Sequence, residues 1–243
     1  MSKAIFPQTY GCQMDAVLQT TGKVVAAFIG MTTISVGLVM EASAQAHVWR
    51  WDFEDGQEDQ APAGFSLTRT GEGGLGQWII KTAPDAPSGK HILVQVDADG
   101  TDFRFPMAVA EQPVLSDVRL SVRCRPESGH VDQACGLVVR YQDENNYYLA
   151  RANALEQNVR FYKVVHGQRQ QLASWSGPVT SGSWHSLKVK AEGNRCVISW
   201  DGQQVMEVTD QTFRGAGKVG VWTKADSVTA FDDLMAEPLD SLP

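Results

Sequence analysis

Cationic and acidic side chains recur through the C-terminal half of the chain, in positions that would let them act on one bound molecule. The cations stand on or beside predicted strands, at Arg140, Arg151, Arg160 and Lys224. The carboxylates stand in the adjoining turns, at Asp143, Glu144, Glu156 and Asp226. One base with a cation beside it can remove a proton next to a ketone and stabilise the resulting enolate. Each side chain also has an ordinary alternative, because strand cations pair across strands and turn carboxylates cap turns.

Strand parity predicts that several of these groups share one face. Side chains alternate between the two faces of a strand, so Arg160 and Tyr162 point outward if their apolar neighbours form the core. The same alternation places Trp222 with Lys224, and it adds Arg140 if the apolar residues before it are also core. Aromatic rings stack on sugar C–H faces and guanidinium groups bind hydroxyls, so this face predicts saccharide recognition. The alternative is that Tyr162 and Trp222 pack beneath a loop.

The elements that carry these residues are β-strands. Apolar positions recur with period two from Trp49 onward, and turn residues interrupt them at intervals of roughly 8–12 residues, which is typical of a sandwich or barrel. The clearest strands are predicted at 118–124, 135–141, 147–152, 159–165, 183–191, 195–200, 203–208, 218–223 and 229–236. Weaker patterns predict strands at 49–53, 65–68, 78–80 and 91–96. Asp201-Gly202 and His166-Gly167 fit two-residue hairpin turns, since both positions tolerate positive φ.

Two cysteines flank a predicted loop. Cys124 ends one apolar run and Cys135 begins the next, so they could face each other across a hairpin and form a disulfide. The alternative is that these two and Cys196 are all reduced and pack as small apolar side chains. The sequence contains no Cys/His spacing typical of a zinc site.

The first 46 residues have the pattern of a secretory signal. Residues 24–40 contain no charge, Lys23 precedes them, and Ala44-Gln45-Ala46 provides a small-residue cleavage site. We therefore predict a signal peptide at 1–46, cleavage before His47, export to the periplasm or beyond, and no membrane insertion after cleavage. The alternative is that the run, at the short edge for a spanning helix, is retained as an anchor. One domain is predicted at 47–237, followed by a tail at 238–243.

The charge of the chain argues against two classes of partner. The formal net charge is −7 and the isoelectric point is about 5.2, and lysines and arginines do not cluster. Binding of nucleic acid or of an anionic membrane needs a positive field. We therefore predict neither partner.

Residues 134–234 carry a family resemblance. The segments ACGLVVRYQDENNYYLARANALEQNVRFYKVVHGQRQQLAS, GSWHSLKVKAEGNRCVISWDGQQVMEVTD and GKVGVWTKADSVTAFDDL resemble laminin G-like, concanavalin A-like domains of secreted bacterial proteins. More closely, they are similar to the 3-keto-disaccharide hydrolase-like domain family. The resemblance implies an all-β fold, a two-sheet antiparallel β-sandwich of the concanavalin A-like jelly-roll kind. The Glu-x-Asp-x-x-Glu motif of the loosely related family 16 glycosidases is absent from the sequence.

The resemblance also raises a structural metal. Sandwiches of this kind often hold calcium between their first and last strands, so Asp52, Asp232 and Asp233 are candidate oxygen ligands. The alternative is that the acidic pair only closes the last strand with hydrogen bonds. No other cofactor is expected.

Three functions are consistent with these patterns. The first is a saccharide-binding or cell-envelope interaction module, which would bind a saccharide or glycoconjugate. Its predicted contact residues are Arg140, Arg160, Tyr162, Trp222, Lys224 and Asp226. The second, implied by the resemblance, is a hydrolase or lyase acting on 3-keto-glycosides. The third is a structural domain that binds a partner protein along an exposed sheet.

Overall fold

The computed structural model describes residues 47–239, and this part of the chain is built from strands, turns and loops without a helix. The fifteen strands in chain order are β1 (Trp49–Trp51), β2 (Phe65–Gly71), β3 (Trp78–Thr82), β4 (His91–Gln95), β5 (Arg104–Ala110), β6 (Val118–Ser128), β7 (Ala134–Asp143), β8 (Asn146–Asn153), β9 (Asn158–Val165), β10 (Gln168–Ser176), β11 (His185–Glu192), β12 (Arg195–Trp200), β13 (Gln203–Thr209), β14 (Lys218–Trp222) and β15 (Val228–Pro238). No helix among the described residues is long and apolar enough to cross a membrane.

The strands form two antiparallel sheets. Sheet one has the order β13-β12-β11-β6-β15-β4-β3, and β1 adds to it by pairing with β15. Sheet two has the order β10-β9-β8-β7-β14-β5-β2. Many neighbours are far apart in sequence, so the sandwich is closed by non-local pairing rather than by hairpins alone. The predicted all-β, two-sheet antiparallel sandwich is confirmed.

The main core lies between the two sheets. Alternate residues of sheet two, such as Leu137, Phe161 and Val221, are fully buried there against residues of sheet one such as Val122 and Phe231. Burial of each such side chain contributes about 1.5–3 kcal/mol, which makes this layer the main source of stability. The period-two pattern follows from this arrangement, because every second side chain must enter the core.

Sheet two is also apolar on its outward face, which the sequence did not predict. A second buried cluster covers this face and includes Phe105, Val138, Leu149 and Trp222. Phe105 and Trp222 stack with ring centroids 5.4 Å apart. The outward face is therefore a packed aromatic floor rather than a row of solvated side chains.

Both predicted hairpin turns are confirmed. Asp201 and Gly202 have φ of 47° and 83°, and His166 and Gly167 have φ of 50° and 75°. These left-handed values match the twist of the flanking strands in a type I′ turn.

The cysteine pair joins the two sheets. Cys124 on β6 and Cys135 on β7 form a disulfide, with Cα atoms 6.3 Å apart. Because β6 belongs to sheet one and β7 to sheet two, the bond runs through the core and does not close a hairpin as the sequence suggested. Among the described residues the remaining cysteine, Cys196, is free and buried.

Of the predicted segment boundaries, only the C-terminal one can be compared with the structure. The signal peptide predicted at 1–46 lies outside the described residues. At the other end, β15 continues one residue beyond the predicted domain limit, since Pro238 still pairs with Val118. Leu239 donates its N–H to the carbonyl of Asp117, 3.1 Å away, so the predicted tail is held to the sandwich at its start.

Candidate functional site

Two arginines and a tyrosine meet on the outward face of sheet two. Arg151 on β8 lies directly opposite Arg160 on β9, so their side chains project side by side. Tyr162 follows on the same face of β9, and its hydroxyl oxygen lies 3.2 Å from Nη2 of Arg151 and 3.5 Å from Nη1 of Arg160. Parity on adjacent antiparallel strands thus places all three groups at one point.

Glu156, in the β8–β9 turn, contacts both arginines of this group. Its Oε2 accepts hydrogen bonds from Arg151 and Asn158, both at 3.1 Å, and forms an ion pair with Nη1 of Arg160 at 2.9 Å. The turn is shaped by Asn153, whose Oδ1 accepts the N–H groups of Leu155 and Glu156. This Asx arrangement folds the carboxylate back over the sheet.

Arg169 approaches from the neighbouring edge strand β10. Its Cζ lies 4.7 Å from the ring centroids of both Phe105 and Tyr162, so the guanidinium spans two aromatic faces. Burial lowers the pKa of Arg169 from its usual value. We call Arg151, Glu156, Arg160, Tyr162 and Arg169 the arginine cluster.

Several donors of the arginine cluster have no acceptor. Within the described part of the chain, Nε and Nη1 of Arg151, Nε of Arg160 and Nη1 of Arg169 are buried and unpartnered. A buried donor without a partner costs about 1–3 kcal/mol. Oxygen atoms of a bound molecule are the acceptors that would satisfy such groups.

The charges of the cluster act on its own titrating groups. Burial by itself would raise the pKa of Tyr162, but Arg151, and after it Arg160 and Arg169, lower it below the usual range. Burial likewise opposes ionisation of Glu156, yet the hydrogen bond from Asn158 and the charge of Arg151 hold its pKa low. The hydroxyl of Tyr162 therefore sits in a positive field.

A second ionic group borders the cluster. Lys224 contacts Asp102 at 2.5 Å and Asp132 at 3.0 Å, and Asp132 accepts a hydrogen bond from Asn153 at 2.6 Å. Burial raises the pKa of Asp132, against the opposing effect of Lys224 and Arg151. These bonds tie three loops to the β8–β9 turn at one end of sheet two.

Exposed apolar residues lie on the same loops. Phe103 follows Asp102, Val131 precedes Asp132 and Leu155 precedes Glu156, and these three side chains are 43%, 44% and 49% exposed. The end of sheet two thus combines buried guanidinium groups with an exposed apolar rim.

The structure brings together only part of the predicted contact surface. Arg160 and Tyr162 lie in the cluster, and Lys224 lies beside it through Asp132 and Asn153. Trp222 is on the predicted face, because the register runs from Arg160 through Arg151 and Gly136 to Trp222. It is fully buried, however, so it forms the floor of the sheet and not a contact surface.

The structure places two predicted contact residues elsewhere. Arg140 has φ of 51° at a break in the β7 register, which resets the alternation, and its guanidinium binds the carbonyls of Ser116 and Phe213, each at 2.8 Å. Asp226 accepts the N–H groups of three successive residues, 130–132, which fixes a loop. Neither side chain reaches the arginine cluster.

Three residues of the cluster were not in the predicted surface. Arg151 and Glu156 were noted in the sequence as a cation and a turn carboxylate, and parity about Ala150 and Ala152 would have added Arg151. Arg169 was missed because β10 was not predicted. Its segment, QRQQLASWS, is mostly polar and only weakly alternating.

Two of the acidic residues considered for calcium bind protein groups. Asp232 accepts the backbone N–H of Ser88 at 3.0 Å, and Asp233 accepts the hydroxyl of the same serine at 2.9 Å and pairs with Arg50. Within residues 47–239, no three side chains of the His, Cys, Asp and Glu types are grouped so that they could hold a metal ion. Calcium binding by Asp52, Asp232 and Asp233 stays a prediction.

Comparison with known proteins identifies relatives of this sandwich. The Bacillus subtilis (strain 168) levanase is 30% identical over 97 residues, which cover 40% of this chain and 14% of the levanase. The chain thus corresponds to a small part of that protein.

Solved structures share the fold. The carbohydrate-binding module CBM66 from Bacillus subtilis matches with a TM-score of 0.54 and 23% identity, over 70% of this chain and 96% of the module. The Bacillus licheniformis β-glucanase matches with a TM-score of 0.52 and 10% identity, over 79% and 98%. Domain 4 of AbnA, a GH43 extracellular arabinanase from Geobacillus stearothermophilus solved with arabinotriose, matches with a TM-score of 0.50 and 14% identity, over 79% and 93%.

The family follows from a sequence model that covers more than half of the chain. The model of the GH43 β-xylosidase C-terminal concanavalin A-like domain matches residues 86–221. These comparisons do not confirm the narrower resemblance to the 3-keto-disaccharide hydrolase-like family. The described domain shares its fold with the carbohydrate-binding module CBM66, and the chain belongs to the family of β-xylosidase C-terminal concanavalin A-like domains.

Proposed function

We propose that this domain binds saccharides through the arginine cluster at the end of sheet two. The observation that carries the proposal is the set of buried, unpartnered guanidinium N–H groups on Arg151, Arg160 and Arg169, beside the hydroxyl of Tyr162. Sugar hydroxyl oxygens accept from such donors, while the apolar rim at Phe103 and Leu155 offers contact to sugar C–H groups.

The relatives support the same proposal. The family is named for a C-terminal domain of β-xylosidases, and a structural neighbour, domain 4 of AbnA, was solved with arabinotriose. The curated relative is named levanase, after the fructan levan. Plant-type and fructan oligosaccharides are therefore sensible first ligands for a binding screen.

The test is a binding titration with matched variants. Purified protein is titrated calorimetrically with arabinotriose, xylo-oligosaccharides and fructan oligosaccharides. We expect Tyr162→Phe, which removes only a hydroxyl group, and Arg160→Gln each to weaken binding about tenfold, the loss of one strong hydrogen bond. Arg195→Gln is the control, since Arg195 lies on sheet one and its ion pair with Glu207 is exposed to solvent. Unchanged affinity in both cluster variants would reject the proposed site.

We further propose that the domain works outside the cytoplasm. The uncharged run at 24–40 and the Cys124–Cys135 disulfide both support export, because structural disulfides persist in oxidising compartments. Mass spectrometry of the protein recovered from periplasm or medium should give an N-terminus at His47. An intact N-terminal segment on all of the cellular protein would contradict this proposal.

A second candidate function is cleavage of a 3-keto-glycoside, which the lowered pKa of Tyr162 favours. An ionised phenolate would remove the proton on C2 of the sugar, and the neighbouring guanidinium groups would stabilise the enolate. The enolate would then form a C1–C2 double bond as the bond from C1 to the leaving oxygen breaks, and the tyrosine hydroxyl would return its proton to that oxygen to give the alcohol. Incubation with a 3-keto-glucoside should release the alcohol, and Tyr162→Phe should abolish release. No release above background would exclude this candidate and leave saccharide binding untouched.

A further inference from the structure

The arginine cluster carries more positive charge than the protein neutralises. The guanidinium groups of Arg151 and Arg160 lie within 3.5 Å of the Tyr162 hydroxyl, and that of Arg169 lies over the Tyr162 ring. Glu156 pairs with Arg151 and Arg160 but not with Arg169. The bordering group of Lys224, Asp102 and Asp132 carries one net negative charge, so the cluster and its border together keep one net positive charge. The cluster is therefore cationic in a chain whose formal net charge is −7.

Among the three cations of the cluster, Arg151 is the one with the most buried N–H groups that lack an acceptor. Its residue surface is 1% exposed, yet both of its hydrogen bonds, to Glu156 and to Tyr162, use Nη2. Nε and Nη1 are buried without an acceptor. A buried charge needs both an opposite charge and filled hydrogen bonds, and Glu156 is shared with Arg160.

Arg169 shows the same deficit. Its guanidinium rests on the rings of Phe105 and Tyr162, and Nη1 has no acceptor among the described residues. Aromatic faces attract a cation weakly, and they accept no hydrogen bond from the N–H groups in the plane of the guanidinium. The lowered pKa of Tyr162 is a further sign that positive charge prevails at this point.

A neutral sugar would fill some of these N–H groups but would leave the positive charge unbalanced. An acidic group on the sugar would supply acceptor oxygens and the missing negative charge together, which is the strongest kind of guanidinium contact. From these contacts we infer that the arginine cluster binds an acidic saccharide, one bearing a carboxylate or a sulfate on its ring. This inference rests on the proposed saccharide-binding function and specifies its ligand.

The experiment compares each acidic sugar with a neutral form of the same backbone. The full chain is titrated calorimetrically with oligogalacturonate, oligoglucuronate and alginate oligosaccharides, and with the carboxyl-reduced form of each. A sulfated oligosaccharide and its desulfated form make a separate arm. We expect at least one acidic form to bind about tenfold or more tightly than its neutral form, with the difference shrinking in 0.5 M NaCl. The arm that responds tells whether the acid is a carboxylate or a sulfate.

Variants link the effect to the cluster. Arg160→Gln should remove most of the preference for the acidic form, and Arg160→Lys should retain part of it, because lysine keeps the charge but lacks the planar donors. Arg195→Gln, on sheet one, should leave the preference unchanged.

The possible failures are distinguishable. Equal affinity for acidic and neutral forms would overturn the inference while leaving saccharide binding in place. Binding of neutral sugars only would do the same. No binding of any saccharide in the panel would overturn both the inference and the proposed function. A preference that survives Arg160→Gln would also overturn the inference, since the acidic group would then be recognised elsewhere.

Discussion

At the scale of single residues, one partly buried carboxylate, that of Asp210, links a loop to sheet two through hydrogen bonds. Asp210, which follows β13, accepts hydrogen bonds from the Tyr148 hydroxyl at 2.6 Å and from Nζ of Lys163 at 2.9 Å. Tyr148 also contacts Phe213 edge to face, with centroids 5.1 Å apart. Asp210 thus fastens the segment between β13 and β14 to sheet two.

The first prediction concerns the pH dependence of this contact. Burial would raise the pKa of Asp210, but hydrogen bonds from Thr212, Tyr148 and Lys163 lower it below its ordinary 3.8. The stabilisation is therefore fully present above pH 3.8 and is lost as the pH falls through the lower folded-state value. Asp210→Asn should cost about 1–3 kcal/mol at pH 7 and progressively less below pH 4, measured by urea unfolding.

Asp59→Asn is the control for this prediction. Asp59 pairs with Lys81 at the surface, with 65% of its side chain exposed, so its replacement should change stability by less than about 0.5 kcal/mol. An Asp210→Asn penalty of the same size at pH 7 and pH 3 would show that the carboxylate charge is unimportant.

At the scale of elements, close strand packing limits which side chains are allowed. Gly220 lies in the middle of β14, between β7 and β5, and a Cβ built there would lie 2.5 Å from the carbonyl oxygen of Ala108. The contact is with backbone, which cannot rotate away. Glycine inside a strand typically marks such an approach.

The second prediction compares two glycines. Gly220→Ala should lower the free energy of unfolding by about 1–3 kcal/mol or more, because sheet two must part to accept the methyl group. Gly215→Ala, in the preceding loop, has nothing within 4 Å of the added carbon and should be close to neutral. Equal stability of the two variants in chemical denaturation would contradict the close approach of β14 to β5.

The strands that sequence reasoning missed are those whose burial does not alternate. All seven residues of β5, RFPMAVA, are buried, since both faces of sheet two are covered at that point. In β10 no residue is fully buried, as this strand forms the edge of the sheet. Alternating polar and apolar residues indicate a strand with one buried and one solvated face. A strand buried on both faces, such as β5, or exposed at an edge, such as β10, lacks this period-two pattern.

At the scale of the whole molecule, one covalent bond links the two sheets in addition to the core packed between them. The disulfide of Cys124 and Cys135 connects sheet one to sheet two, and it closes a chain segment of 11 residues in sequence separation. In the unfolded chain it keeps the two cysteines together and thereby reduces the conformational entropy of that state.

The third prediction is that loss of this bond destabilises the fold. The double variant Cys124→Ala/Cys135→Ala should lose about 2–4 kcal/mol of stability, the usual effect of a disulfide that closes a loop of this size. Cys196→Ala keeps the bond and should lose only about 1 kcal/mol, the transfer of a small buried group. Thermal unfolding with and without reductant checks both, and a wild type insensitive to reductant would contradict the prediction.

Sequence by itself determined the class of this protein. The alternation at residues such as Val159 and Phe161, with the turns at His166 and Asp201, is local, because backbone geometry forces every second side chain to one side of a strand. The all-β class and the placement of Arg160 and Tyr162 on one outward face followed from that rule, whereas the choice of a two-sheet sandwich over a barrel rested on the family resemblance.

Only the tertiary structure decided which outward residues are exposed and which meet. Trp222 obeys parity but is covered, because Phe105 from β5 stacks against it. Arg140 departs from parity at a break in register, and Arg169 arrives from an edge strand without a recognisable pattern. These outcomes depend on contacts between strands distant in sequence, and the spacing of residues along one strand carries no information about them.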